Sequence, residues 1–109
     1  MIIIAIVEVT VIPLGTGGTS LSSFVAGCVR VLQQANDIKY QLTPMGTIIE
    51  GELTEIIKLV SQMHEQPFMA GASRVNTIIR IDDRRDKKGT MKGKVSSVEA
   101  KLITPGGTD

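Results

Sequence analysis

The stretch Pro44-Met45-Gly46-Thr47-Ile48-Ile49-Glu50-Gly51 decides the fold. Just before it, Ile38, Tyr40 and Leu42 alternate with Lys39, Gln41 and Thr43, the two-residue period of a strand. Within it, Thr47 to Glu52 reads as a further short strand. Pro44-Met45-Gly46 is a tight connection, so the two segments read as a hairpin. Glycines on either side of Thr47 to Glu50 permit a sharp turn or a close approach. Glu50 is an acid in an otherwise apolar strand, and a buried charge needs a partner.

The segments flanking the hairpin complete a pattern. Ile2 to Leu14 is a β-branched run, with Glu8 and Thr10 on one parity and Val7, Val9 and Val11 on the other. It reads as a central strand buried on both sides. Gly15 to Ser20 is a loop, with Thr19 or Ser20 placed to cap a helix. Leu21, Phe24, Val25, Cys28, Val29 and Leu32 then recur at helical spacing, and that helix is expected to end near Ala35. After the hairpin, a second helix runs from about Leu53 with Ile56, Ile57, Val60 and Met63 on one face, and Gln66-Pro67 is expected to end it. Met69 to Ala72 reads as a loop and Arg74 to Asp82 as a fourth strand. Met91, Val95, Val98 and Leu102 mark a narrow stripe on a last helix.

The order β-α-β-β-α-β is the split pattern of a ferredoxin-like α+β fold, here with an extra C-terminal helix. It predicts a four-stranded antiparallel sheet with two helices on one face and the first and third strands central. Residues 1–104 read as one domain and 105–109 as a flexible tail. The sheet face without helices is too apolar to be left to water, which predicts self-association across it with the last helix helping to close the assembly. The alternative is a monomer whose third helix folds back over the sheet.

Composition narrows the function. The 109 residues carry a net charge of +1, with 42% hydrophobic and 3% aromatic residues. That balance leaves no basic footprint for nucleic acid or an anionic membrane. One cysteine, Cys28, and one histidine, His64, exclude a disulfide framework and a four-ligand zinc site within one chain. The apolar Met1 to Val7 is too short for a membrane span and lacks the basic leader of a signal peptide, so the reading is a soluble cytoplasmic protein.

Catalytic patterns are thin. Gly15 to Ser20 lacks a P-loop lysine and the arginine that acylphosphatase-like chemistry needs. The aromatic residues of RNA-binding relatives and the paired cysteines of metal chaperones are missing. Cys28 reads as core and His64 as exposed, so no nucleophile is assembled. The charge run Asp83 to Gly89 reads as a solvated loop. What remains are polar residues set in strands: Glu8, Thr10, Thr47, Glu50, Asn76, Thr77 and Arg80. An acid among them pairs either with Arg74 or Arg80 or with a ligand.

Several stretches together resemble the thiamine-binding protein family: Glu8-Val9-Thr10, Gly15 to Ser23, Tyr40-Gln41-Leu42-Thr43-Pro44-Met45-Gly46-Thr47 with Glu50-Gly51, and Arg74-Val75 through Ile81-Asp82-Asp83-Arg84. The resemblance spans almost the whole chain. It implies a ferredoxin-like fold, no catalysis, no cofactor, and binding of thiamine or its hydroxymethylpyrimidine moiety. It also implies a homotetramer built from sheet-to-sheet dimers. Under it Glu50 becomes the anchor for the amino group or a protonated ring nitrogen. Thr47 and Thr10 offer hydroxyls, and Tyr40 offers a ring for stacking. Gly17 and Gly18 let the loop close over the ligand, with Ser20 in contact. The rival expectation is a regulatory or structural oligomer of the same architecture with another small ligand or none.

Overall fold

A computed structural model describes residues 4–18, 20–87 and 89–103. Ile4–Leu14 forms β1, Ser22–Gln33 α1, Lys39–Thr43 β2, Gly46–Glu52 β3, Leu53–Met69 α2, Arg74–Asp82 β4 and Met91–Ile103 α3. The strands make one antiparallel sheet in the order β2-β3-β1-β4, so β1 and β3 are central. This is the ferredoxin-like arrangement. Met1 to Ile3, Thr19 with its expected capping role, Lys88 of the charge run, and the tail from Thr104 onward lie outside the described residues.

The register assigns every strand side chain to a face. Val7 stands opposite Ile49 and Val9 opposite Thr47, and this parity faces α1 and α2. Val7, Val9 and Ile49 meet Cys28 and Leu32 of α1 and Ile56, Val60 and Met63 of α2 in an aliphatic core. The other parity carries Ile6 opposite Glu50 and Glu8 opposite Ile48, on the face without those helices. Both glycines of the opening stretch are close approaches. A Cβ on Gly46 would fall 2.8 Å from the Thr10 hydroxyl, and one on Gly51 would fall 2.8 Å from Ile38 Cγ2.

Three expectations are corrected. α2 does not end at Gln66-Pro67; it runs to Met69 with Pro67 inside its last turn. A proline there leaves the carbonyl four residues earlier without its helical donor. That carbonyl belongs to Met63, and the buried Cys28 thiol donates to it at 3.4 Å. Pro67 thus sits where α1 supplies the missing donor. His64 is not fully exposed. Its Nδ1 lies 2.6 Å from the Thr77 hydroxyl and its ring meets Phe68 edge-on, because α2 lies against β4. α1 begins after Leu21 without a side-chain cap, and Ser20 Oγ instead approaches Ser22 Oγ at 3.4 Å.

The last helix does not fold back over the sheet. Val95, Val98 and Leu102 are exposed along α3. Its first turns are tied down through Glu50 and through Lys94, whose Nζ lies 2.6 Å from Asp82.

Candidate functional site

β1 is longer than the strand beside it. β3 follows β1 only from Ile4 opposite Glu52 to Val9 opposite Thr47, whereas β4 follows β1 as far as Leu14. From Thr10 onward the β3-side edge of β1 therefore has no strand against it. α1 spans this gap but leans mainly on α2 and only lightly on β1. The result is a cavity of about 820 Å³ between α1, the end of β1 and the β2–β3 turn. Its volume falls within the usual range for small-molecule pockets.

The walls are mostly apolar: Val9 and Val11 from β1, Val25 and Val29 from α1, Leu42 from β2 and Met63 from α2. Thr47 lines it as well and is buried. Thr10 and Thr43 hold the turn that closes one end. Thr10 Oγ1 donates to the Met45 carbonyl at 3.2 Å, and Thr43 Oγ1 donates to the Gly46 carbonyl at 2.9 Å. Among the described residues, the exposed Arg30 is the one charged residue lining the cavity, with Gln33 beside it in the sequence pattern of α1, and no carboxylate lines it.

Glu50 is elsewhere. It is only 8% exposed, but strand alternation turns it to the opposite sheet face from Thr47. There its Oε1 accepts the Met91 backbone N–H at 2.9 Å. In this structure the partner of this acid is the first amide of α3, and not the Arg74 or Arg80 side chain. Thr90 completes the helix start by accepting the Gly93 N–H on its hydroxyl at 2.9 Å. Glu50 and Thr47, three residues apart, do not share a pocket.

The remaining sequence candidates divide. Tyr40 stands opposite Ile49 on the helix-covered face and packs against the core, beside the cavity but not in its lining. Gly17 and Gly18 lie in the loop before α1, where the positive φ of Gly17 (81°) needs a glycine, and neither lines the cavity. Ser20 reaches it only through Ser22, which does line it. Glu8 is exposed on the open face opposite Arg80. Burial raises the Cys28 thiol above its ordinary range. Sequence reading passed over Arg30, Gln33 and Leu42. Nothing in their spacing shows that β3 stops short and leaves them facing a gap.

The charge run behaves as a solvated loop. Arg84 pairs with Asp86 and Arg85 with Asp83. The Arg84 guanidinium holds the Asp86 carboxyl down at about 2. A smaller recess of about 260 Å³, lined by Ile6, Asp82, Arg84, Lys87, Thr90 and Lys94 among others, lies under the start of α3. No described helix is long and apolar enough to cross a membrane.

Comparison with known proteins agrees with this architecture. Residues 7–99 match the family model described as thiamine-binding protein. The UPF0045 protein YqgV of Bacillus subtilis is 50% identical over 101 residues, covering 90% of this chain and 97% of its own length. A UPF0045 protein of Staphylococcus xylosus is 50% identical over 106 residues, covering 94% of this chain and 98% of its own. The crystal structure of MJ1052 from Methanocaldococcus jannaschii superposes with a TM-score of 0.80 at 33% identity, covering 88% of this chain and 96% of that one.

Proposed function

The chain belongs to the thiamine-binding protein family, and from that premise we propose that it is a non-enzymatic binder of thiamine or its hydroxymethylpyrimidine moiety, seated between α1 and the sheet. The observation that carries this reading is the cavity itself: apolar walls, a buried threonine and a bare strand edge in one concave space. A flat aminopyrimidine suits it. The ring buries apolar area against Val9, Val25 and Val29, while its nitrogens and amino group can trade hydrogen bonds with Thr47 and the β1 main chain.

Charge sets the orientation. Among the described residues the lining has no carboxylate and has one guanidinium, Arg30, and these offer nothing to balance a buried cationic thiazolium. The pyrimidine therefore goes in and the thiazolium stays toward solvent. Closure of the loop bearing Gly17, Gly18 and Ser20 over the ring belongs to the same reading. So does a cytoplasmic homotetramer arranged as a dimer of dimers, acting in carriage, sensing or salvage of the vitamin.

Titration calorimetry with hydroxymethylpyrimidine, thiamine and the thiamine phosphates tests the proposal. Saturable heat with at least one of them, abolished by Val29→Trp filling the cavity, is the expected result. Absence of heat with all of them refutes it.

A further inference from the structure

One face of α1 walls the pocket over about three turns. Ser22, Val25, Val29 and Gln33 recur on it at helical spacing, with Arg30 next to Val29. The wall changes character along the helix. Val25 and Val29 are apolar and half-buried, whereas Arg30 and Gln33, toward the helix C-terminus, are exposed. Arg30 and Gln33 stand three residues apart, so their side chains are neighbours on the helix surface. Two other arginines of this chain meet carboxylates, Arg84 with Asp86 and Arg85 with Asp83. Among the described residues no carboxylate pairs with Arg30, and none faces it across the pocket. An exposed guanidinium is stable in water without a partner. Its place at the rim of an apolar slot is what gives this one a role.

We propose that Arg30 makes this pocket selective for a phosphorylated ligand: an aminopyrimidine whose one-carbon arm carries a phosphate monoester. The inference rests on the reading of the cavity as a pyrimidine site. With the ring against Val25 and Val29, a phosphate on a short arm falls at the rim beside Arg30 and Gln33. The planar fork of a guanidinium matches two phosphate oxygens, and the Gln33 side-chain amide donates to a third. The exposure of both residues suits this group. A phosphate monoester carries close to two negative charges at neutral pH and is costly to bury, so it belongs where water still reaches it.

The same charge works against thiamine. Its thiazolium hangs from the carbon that bears the phosphate in the phosphorylated pyrimidine, so it comes to the same rim. There it meets a like charge, with no lining carboxylate among the described residues to offset the repulsion. The order of affinity is then phosphorylated pyrimidine first, hydroxymethylpyrimidine second and thiamine last.

Titration calorimetry of the full chain with these three compounds measures the order. The phosphorylated pyrimidine should bind about tenfold tighter than hydroxymethylpyrimidine, the scale of a charged hydrogen bond. Arg30→Gln should bring that ratio close to one, and Arg30→Lys should keep part of it. Lys58→Gln removes an exposed cation of α2 outside the pocket lining and should leave the ratio at its wild-type value, which separates pairing at the rim from overall charge. Raising the ionic strength from about 0.01 M to about 1 M shortens the screening length from roughly 30 Å to 3 Å and should shrink the ratio. Equal affinity for the two pyrimidines, or a preference that survives Arg30→Gln, overturns this inference and leaves the pyrimidine reading standing. No heat with any of the three compounds overturns both.

Discussion

Replacing Glu50 with Gln separates the two faces of the sheet in one experiment. The buried carboxylate accepts the Met91 amide at 2.9 Å, at the positive end of α3. A hydrogen bond to a charged group contributes ~1.5–3 kcal/mol against ~1 for a neutral one. An anion at a helix N-terminus adds ~0.3–1 kcal/mol. Glutamine keeps an acceptor but loses the charge, and relief of the carboxylate's desolvation offsets part of the loss. The net expectation is a loss of ~1–2 kcal/mol, concentrated in the docking of α3. Hydrogen exchange should show protection of the Met91 amide falling roughly tenfold, since about 1.4 kcal/mol is one decade. Calorimetry should show pyrimidine affinity within about twofold of wild type, because the cavity lies on the other face. Unchanged protection at Met91 combined with a tenfold loss of affinity would refute the reasoning and place Glu50 in the ligand site.

Other outcomes follow from the same geometry. Thr47→Val removes the buried hydroxyl while keeping its shape; calorimetry should show ligand affinity reduced by ~0.5–1.5 kcal/mol, with the thermal midpoint nearly unchanged. Cys28→Ala should destabilise the protein by ~1–2 kcal/mol in urea titrations, and by less in a Pro67→Ala background, because alanine gives the Met63 carbonyl its helical donor again; a coupling of ~0.5–1 kcal/mol is expected. The Cys28 thiol has its pKa raised by burial, so its stabilising contribution is complete below the unfolded-state value and fades as pH climbs past roughly 8.5. Thiol-reagent kinetics should accordingly show Cys28 slow in the native protein and fast in denaturant, and a native rate equal to the denatured one would contradict its burial.

Most of the fold was legible because its signals are periodic. The β-branched run of β1, the alternation in β2 and β4, and the helical spacings around Cys28 and Ile56 give the element order, and that order gives the strand arrangement. What periodicity does not carry is the partner of a single side chain. Glu50 was legible as a buried acid in need of one, yet a backbone amide has no sequence signature, so Met91, forty-one positions away, was invisible. Pro67 misled for a related reason. It marks the loss of one helical donor, and whether the helix stops there depends on a thiol from another helix. His64 went astray because the tilt of α2 over β4 is a property of packing. In the site, Thr47 and Thr10 were within reach of pattern reasoning, whereas Arg30 faces a gap created by a difference in strand lengths.

β1 has eleven residues and β3 seven, and the cavity is the remainder. One side of it is the unpaired edge of β1, which side-chain substitution leaves in place. Point changes along the walls can therefore reshape the space but seldom remove it. An insertion is another matter. Two residues added on each arm of the hairpin, on either side of Pro44-Met45-Gly46, would let β3 grow alongside Val11 and Ile12 and fill the gap with ordinary strand pairing. Descendants of this fold would then gain or lose the pocket by changes in length, in a turn that carries none of its lining aliphatic side chains except Met45 and Pro44.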